Sequence, residues 1–408
     1  MTKRGDEKLL LVISQVFTPD PAAVGQSIAD ACARLAERDV ASRVITARHG
    51  YYDASVEYPP FEQSGKVTIE RLSTLQLRTR GKIARALRGV GFLVSATIRA
   101  CRGPRPAAVL VSTSPPVAPF AGLIAAAWHR APLVHWSMDL NPDQAIEAGY
   151  VSADGLGARL LDWMNRLLLR RAHTIIVLDR AMEKRVRAKG DPQGRLHVVP
   201  PWGALSSIET IDPRASAFRR RHGLDDKFVV MYSGNHSLVH PLDTLLDAAK
   251  RLENDSRFAF VFIGDGHGKR SVDASGLRNV LSLPYQPRET LADSLGCADL
   301  HVVTMGDRML GIVHPSKIYG VLTVGRPVLY FGPVESHVDV MVRDHSIGWS
   351  LRHGDIDAAV ASLHEAIAMT PDEISMVSRR VLDLARGEYH PKRLQNRVAD
   401  IVERAVGL

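Results

Sequence analysis

A chain of 408 residues and 44.8 kDa exceeds what one simple hydrophobic core organises, so two or more domains are expected. Hydrophobic residues at 45% and charged residues at 24% exclude a disordered chain, a collagen and a coiled-coil rod, and aromatics at 6% leave a mainly aliphatic core. The net charge of +8 is local: ten Lys/Arg and no Asp or Glu lie between Arg71 and Met138, so the remainder is slightly acidic and only this segment points to an anionic partner.

In chain order, Leu9–Val16 reads as a strand buried on both faces. A Pro-rich loop follows, then a helix over Gln26–Arg38 with Ile28, Ala31, Cys32 and Leu35 at helical spacing. Strands are expected at Arg43–Ala47, Val67–Leu72, Ala108–Ser112, Leu133–Met138, Thr174–Leu178 and Leu196–Val199, with helices at Ala118–His129, Leu156–Arg171 and Arg180–Lys189. The uncharged stretch Pro106–His129 has the length of a membrane span, but Pro115, Pro116 and Pro119 break it into strand, turn and helix.

A polar stretch, Ser206–Lys227, separates a second series. Its strands are expected at Phe228–Tyr232, Phe258–Ile263, Val280–Leu283, Leu300–Thr304 and Val328–Phe331. Its helices are Leu242–Leu252, Glu289–Leu295 and Ser316–Val324, and three more close the chain at Ile356–Met369, Asp372–Arg386 and Arg393–Val406. Strands alternating with helices predict parallel sheets covered on both faces. The fold class is therefore α/β, with two doubly wound Rossmann-like domains facing a cleft: residues 1–204, residues 205–390, and a C-terminal helix over 391–408 that could cross back to the first.

Cys32, Cys101 and Cys297 are far apart and form no metal-ligand or disulfide pattern, which fits a reducing, cytoplasmic setting, and the first residues do not read as a signal peptide. Only Gly25 precedes the first helix, so a dinucleotide GxGxxG turn is absent; Gly25 is either an anion-facing backbone donor or a turn glycine. In the second half, three loops follow strands: Tyr232-Ser-Gly234-Asn235, Gly264-Asp265-Gly-His-Gly-Lys269, and the segment from Gly311 through His314, Pro315, Ser316 and Lys317. A helix start bearing a hydroxyl and an ammonium suits a diphosphate, and three such loops in this order describe a nucleotide site.

The segment HPSKIYGVLTVGRPVLYFGP resembles the PSK…GRPV region of retaining glycosyltransferases with the two-Rossmann GT-B fold, of the family 4 branch that includes O-antigen and capsule sugar transferases. YSGN, FIGDGHGK, the early Phe17-Thr-Pro-Asp-Pro loop with Gly25, and Trp136-Ser-Met-Asp139-Leu-Asn-Pro match the same family in order. The resemblance implies transfer of a sugar from a nucleotide-sugar, of the UDP class, to an acceptor glycan, lipid-linked sugar or small molecule. It implies retention of anomeric configuration, no metal and no cofactor beyond the donor substrate. Asp139 and His135 become catalytic candidates, Asp139 as a base or acceptor anchor, with a loop cap and a core histidine as the alternatives. Gly25, Gly234, Asn235, His240, Asp265, Lys269, Tyr285, His314, Ser316 and Lys317 become nucleotide-sugar-binding candidates.

The family's EX7E glutamate pair is absent: Ile312 and Gly320 stand at its positions. Asn235 stands where Arg is common and His240 lies near a Lys position, which leaves Lys317 and Lys269 as the phosphate charges. Rival readings are a natural-product transferase with a soluble acceptor, a nucleotide-sugar 2-epimerase and a non-catalytic nucleotide-sugar binder. Residues 78–105 combine basic residues with an apolar run, which suggests peripheral contact with an anionic membrane at the inner face; the alternative is a surface helix whose apolar side is core. Nucleic acid is disfavoured, since stacking aromatics are missing there.

Overall fold

The computed structural model describes residues 8–51, 55–73, 82–190, 192–203 and 212–407. The chain divides into two compact units, residues 1–201 with 392–408, and residues 202–391.

The first unit runs β1 (Leu9–Ile13), α1 (Ala23–Ala36), β2 (Ala41–Ala47), β3 (Phe61–Ser64), β4 (Val67–Leu72), α2 (Lys82–Cys101), β5 (Ala108–Ser112), α3 (Ala118–His129) and β6 (Leu133–Trp136). It continues with α4 (Asp143–Glu147), α5 (Leu156–Arg171), β7 (Thr174–Val177), α6 (Arg180–Lys189) and β8 (Leu196–Val198). Its sheet has the order β3-β4-β2-β1-β5-β6-β7-β8, parallel except for β3. The central strands are apolar throughout because helices cover both faces; Val12 sits in register between Val44 and Leu110. Helix α1 buries Ile28, Ala31, Cys32 and Leu35, one face of a 3.6-residue period.

The second unit runs α7 (Ala217–His222), β9 (Phe228–Ser233), α8 (Asp243–Arg251), β10 (Phe258–Ile263), α9 (Lys269–Ala274), β11 (Val280–Leu283), α10 (Leu291–Gly296) and β12 (Leu300–Thr304). Then come α11 (Lys317–Val324), β13 (Val328–Phe331), α12 (His337–Asp344), β14 (Gly348–Leu351), α13 (Ile356–Ala368) and α14 (Pro371–Arg386). Its sheet is wholly parallel, β11-β10-β9-β12-β13-β14. Strand β10, FAFVFI, is buried along its whole length, and α14 opens with a Thr370/Glu373 capping box. The last helix, α15 (Pro391–Ala405), lies with the first unit, where Arg38 bonds both Asp400 (2.6 Å) and Glu403 (2.7 Å).

Both sheets reverse direction of growth beside their first strand, between β1 and β5 and between β9 and β12. Ligands of doubly wound folds bind at the carboxyl ends of the strands at such points. Strands β3 and β14 and helix α12 add to the predicted elements; β3 is exposed at all four positions and β14 only half-buried, so neither carries an apolar signature. The helix expected from Ser316 starts one residue later, because a tight turn precedes it: Ile318 N–H reaches Pro315 O and Tyr319 N–H reaches Ser316 O. The helix expected from Glu289 is a short 3-10 turn followed by α10. Residues 206–211 of the polar stretch and 78–81 of the basic segment lie outside the described residues.

Candidate functional site

In the second unit the loops after β9, β10 and β12 adjoin, since β9 lies between the other two strands. Gly234, at φ 135°, ends β9, and the Lys317 side chain runs directly over it: a Cβ at Gly234 would stand 2.6 Å from Lys317 Cε. The ammonium then lies 5.4 Å from the centroid of the buried Tyr232 ring, a cation–π position. Lys317 is the first residue of α11, the positive end of that helix. Burial pushes its ammonium down to about 7.

Two histidines share this neighbourhood. His240 Nδ1–H donates to Thr304 O (2.6 Å), so the neutral ring keeps its lone pair on Nε2; burial, then the Lys317 charge, hold it well below the usual imidazole value. His236 is buried, with its ring 5.3 Å from Tyr232 and edge-on to Phe262 at 6.5 Å. Burial takes it to about 4, and the Lys269 and Lys317 charges act in the same direction. Its backbone ties the loops together: the N–H donates to Asp265 O (2.8 Å) and the C=O accepts from Gly268 N–H (2.8 Å). The glycines are required by this crossing, since a Cβ at Gly264 would lie 2.0 Å from Gly234 O and one at Gly266 2.6 Å from Asn235 Oδ1.

The structure thus brings Gly234, Asn235, His240 and Lys317 together, and adds His236, which sequence reasoning missed. No signal in its own segment marks it, because the 264–268 turn that closes over it lies far along the chain.

The remaining candidates are occupied differently. Lys269 Nζ donates to Ser282 Oγ (2.7 Å) and pairs with Asp273 (3.4 Å), so its charge is directed towards β11. Asp265 is exposed and accepts from Gly266 N–H (2.7 Å), a cap of its own turn. Tyr285 is 47% exposed beside Asp265. Ser316 is exposed and makes no side-chain cap of α11. His314 is buried in an aromatic cluster, its Nε2 2.8 Å from Tyr319 Oη, which lies 3.1 Å from His337 Nε2.

In the first unit, Asp139 and His135 line one small cavity of about 20 Å³ at the end of β6, with Thr113, Ser137 and Asn165. His135 is buried within β6, which pushes it down to about 4, so it is neutral. Thr113 Oγ1 accepts from the Met138 and Asp139 N–H groups at 3.2 Å each and fixes the turn that carries Asp139. Gly25, in α1, packs its Cα against Phe17: a Cβ there would meet Phe17 N and Cα at 3.0 Å.

Among the described residues no group of three His, Cys, Asp or Glu side chains is placed to hold a metal ion.

Residues 22–202 match the glycosyl transferase 4-like domain. The chain is 24% identical over 378 residues to the putative colanic acid biosynthesis glycosyl transferase WcaI of Escherichia coli (strain K12), covering 88% of this chain and 92% of that one. It is 26% identical over 261 residues to the probable glycosyltransferase WbjE of Pseudomonas aeruginosa, covering 63% of this chain and 64% of the relative. Among solved structures, Anabaena Alr3699/HepE in complex with UDP and glucose superposes with a TM-score of 0.72 at 15% identity, over 97% of this chain and 100% of that one. That likeness carries the fold, which is GT-B. Residues 22–202 thus carry a glycosyl transferase 4-like domain, and the relatives matched over 63% and 88% of the chain are named glycosyltransferases.

Proposed function

We propose that the chain moves a sugar from a nucleoside diphosphate sugar of the UDP class to an acceptor hydroxyl, with retention at the anomeric carbon and without a metal, in assembly of a surface polysaccharide or glycoconjugate. The observation that carries this reading is the Lys317 stem crossing Gly234, with its ammonium 5.4 Å from the Tyr232 ring centroid, at the switch point of the second sheet. A cation desolvated at the positive end of a helix is costly by itself and suits a site completed by an anion. A diphosphate there would be neutralised by Lys317 as the bond from its oxygen to the sugar C1 breaks. The acceptor oxygen would form the new bond to C1 and give up its proton to the departing phosphate.

The Ile312 and Gly320 substitutions remove two carboxylates from the donor side, which leaves the site more positive than one that carries the pair. Uridine is favoured because the Anabaena structure holds UDP in the same fold. Asp139, beside the neutral His135, would anchor the acceptor. The colanic acid biosynthesis relative supports a glycan acceptor, and the basic, apolar composition of residues 78–105 supports its handling at an anionic membrane surface.

The test is thermal shift with UDP, GDP, ADP, CDP and dTDP, run beside Lys317→Ala. Ligand at about 100 times its dissociation constant adds about 2.7 kcal/mol to the folded state. Selective stabilisation by UDP that Lys317→Ala loses supports the reading; equal curves with all five refute it.

A further inference from the structure

The loop between β13 and α12, residues 332–336, holds a conformation that its sequence does not favour. Glu335 sits at φ 62°, in the left-handed region that a residue with a Cβ enters only at a cost. Asp339, buried in the first turn of α12, imposes this conformation: its Oδ2 accepts from Glu335 N–H at 2.7 Å. Arg343 holds the same oxygen at 2.7 Å, and Ser350 Oγ donates to Oδ1 at 2.6 Å. Ser336 Oγ accepts from Asp339 N–H (3.2 Å) and donates to Tyr330 Oη (2.8 Å). Glycine would take this turn without strain, yet a charged residue stands there. Strain that the surroundings over-determine points to a use for the side chain.

The loop stands at the carboxyl end of the second sheet, as the nucleotide candidates do. Met305, just after β12, donates its N–H to Phe331 O at the end of β13 (2.9 Å), so the two loops leave the sheet side by side. His337, two residues after Glu335, has its Nε2 3.1 Å from Tyr319 Oη of α11, and Tyr319 lies two residues after Lys317. Chemistry selects the role. Sugar hydroxyls donate, and an ionised carboxylate is the strongest side-chain acceptor for them. Residues 308–325, the end of the β12 loop and α11, contain no acidic residue. The loops after β12 and β13 hold two carboxylates: Asp307, paired with Arg352 at 3.2 Å, and Glu335, which is exposed and has no ion pair among the described residues.

We infer that Glu335 is a specificity-determining residue of the donor site, whose carboxylate accepts hydrogen bonds from hydroxyls of the donor sugar while Lys317 neutralises the diphosphate. This rests on the donor reading above, and extends it from the phosphates to the sugar.

The test is calorimetry of the full chain with UDP, UDP-glucose, UDP-galactose and UDP-N-acetylglucosamine, with urea unfolding alongside. The quantity read is the affinity for a UDP-sugar relative to UDP, taken for the sugar with the highest ratio in the wild type. Glu335→Gln and Glu335→Gly should each lower that ratio at least tenfold, since a hydrogen bond to a charged group is worth about that much. UDP itself should bind at least as tightly as before, because a negative charge near the phosphates is gone. Glu335→Gly should also raise the urea midpoint, whereas Glu335→Gln, held at the same φ, should not. Val334→Ala, at the neighbouring exposed position (46%), should leave the ratio unchanged. A ratio that both Glu335 variants keep within about twofold of wild type overturns the inference, and so does a loss confined to Glu335→Gly, which would belong to the loop backbone. A wild type that binds UDP but shows the first of these patterns leaves the donor reading standing; one that binds neither UDP nor any UDP-sugar refutes both.

Discussion

The Lys317 stem crosses Gly234 so closely that the glycine has no room for a side chain: Cε, Cδ and Cγ would lie 2.6, 3.1 and 3.3 Å from a Cβ there. Gly234 also adopts φ 135°, which L side chains rarely occupy. Gly234→Ala therefore strains the backbone and displaces the ammonium at once. The expected cost is about 1–3 kcal/mol of stability, read by urea unfolding, together with at least a tenfold loss of UDP affinity by calorimetry. Gly264→Ala, whose Cβ would meet the Gly234 carbonyl at 2.0 Å, should be the more destabilising of the two.

Lys317 sets a pH dependence whose sign is fixed. Its ammonium is pushed down to about 7 in the folded protein, below its ordinary 10.5, so from pH 7 to 10.5 the unfolded chain holds the extra proton. Its contribution to stability therefore rises with pH across that window. Anion binding runs the other way, because it needs the charged form. UDP affinity should fall by up to tenfold per pH unit above about 7. Lys317→Met keeps the apolar stem over Gly234; it should be at least as stable as wild type at pH 7 and bind UDP weakly with no such slope.

The parallel strands were legible where burial on both faces left unbroken apolar runs, as in Phe258–Ile263. Strand β3, FEQS, was not, because it is exposed throughout and pairs only at an edge, and β14 was hidden by being short and half-buried. Lys317 could be found because Pro315 and Ser316 mark a helix start next to it. Lys269 carried an equal signal from its glycine loop, yet Ser282, thirteen residues on and in another strand, takes its ammonium. His236 was missed for the opposite reason: nothing within its own segment shows that two glycine turns close over it.

Acid should unfold the protein earlier than its carboxylates alone would dictate. His135, His236 and His301 are held neutral by burial down to about 4, and His240 is shifted the same way. Each is a lowered histidine, so its stabilising neutrality is complete above pH 6.5 and is lost as pH falls towards 4. Across that window each group removes about 1.4 kcal/mol per pH unit. Urea titrations at pH 7, 6 and 5 should show a steepening loss of stability, and His301→Gln, outside both candidate sites, should flatten it by about one proton.

Strands β9 and β12, which lead into the Gly234 turn and into the loop before Lys317, are clamped at their opposite ends by one buried cation. Arg219 has no exposed surface; its Nε donates to Cys297 O (2.7 Å), one Nη to Lys227 O (3.1 Å), and the other pairs with Asp299. The same Asp299 oxygen accepts from Val229 N–H in β9 (2.7 Å), just before β12 begins. Asp299→Ala leaves a guanidinium buried without its counter-charge and should cost about 3–5 kcal/mol. Adding Arg219→Met removes the stranded charge, fills much of the space, and should recover part of that loss. The clamp lies at the amino ends of the strands and the nucleotide candidates at the carboxyl ends, so the folded double variant should bind UDP within about twofold of wild type. Urea unfolding and calorimetry on the two variants read these outcomes separately; a single variant less stable than the double one is the required order.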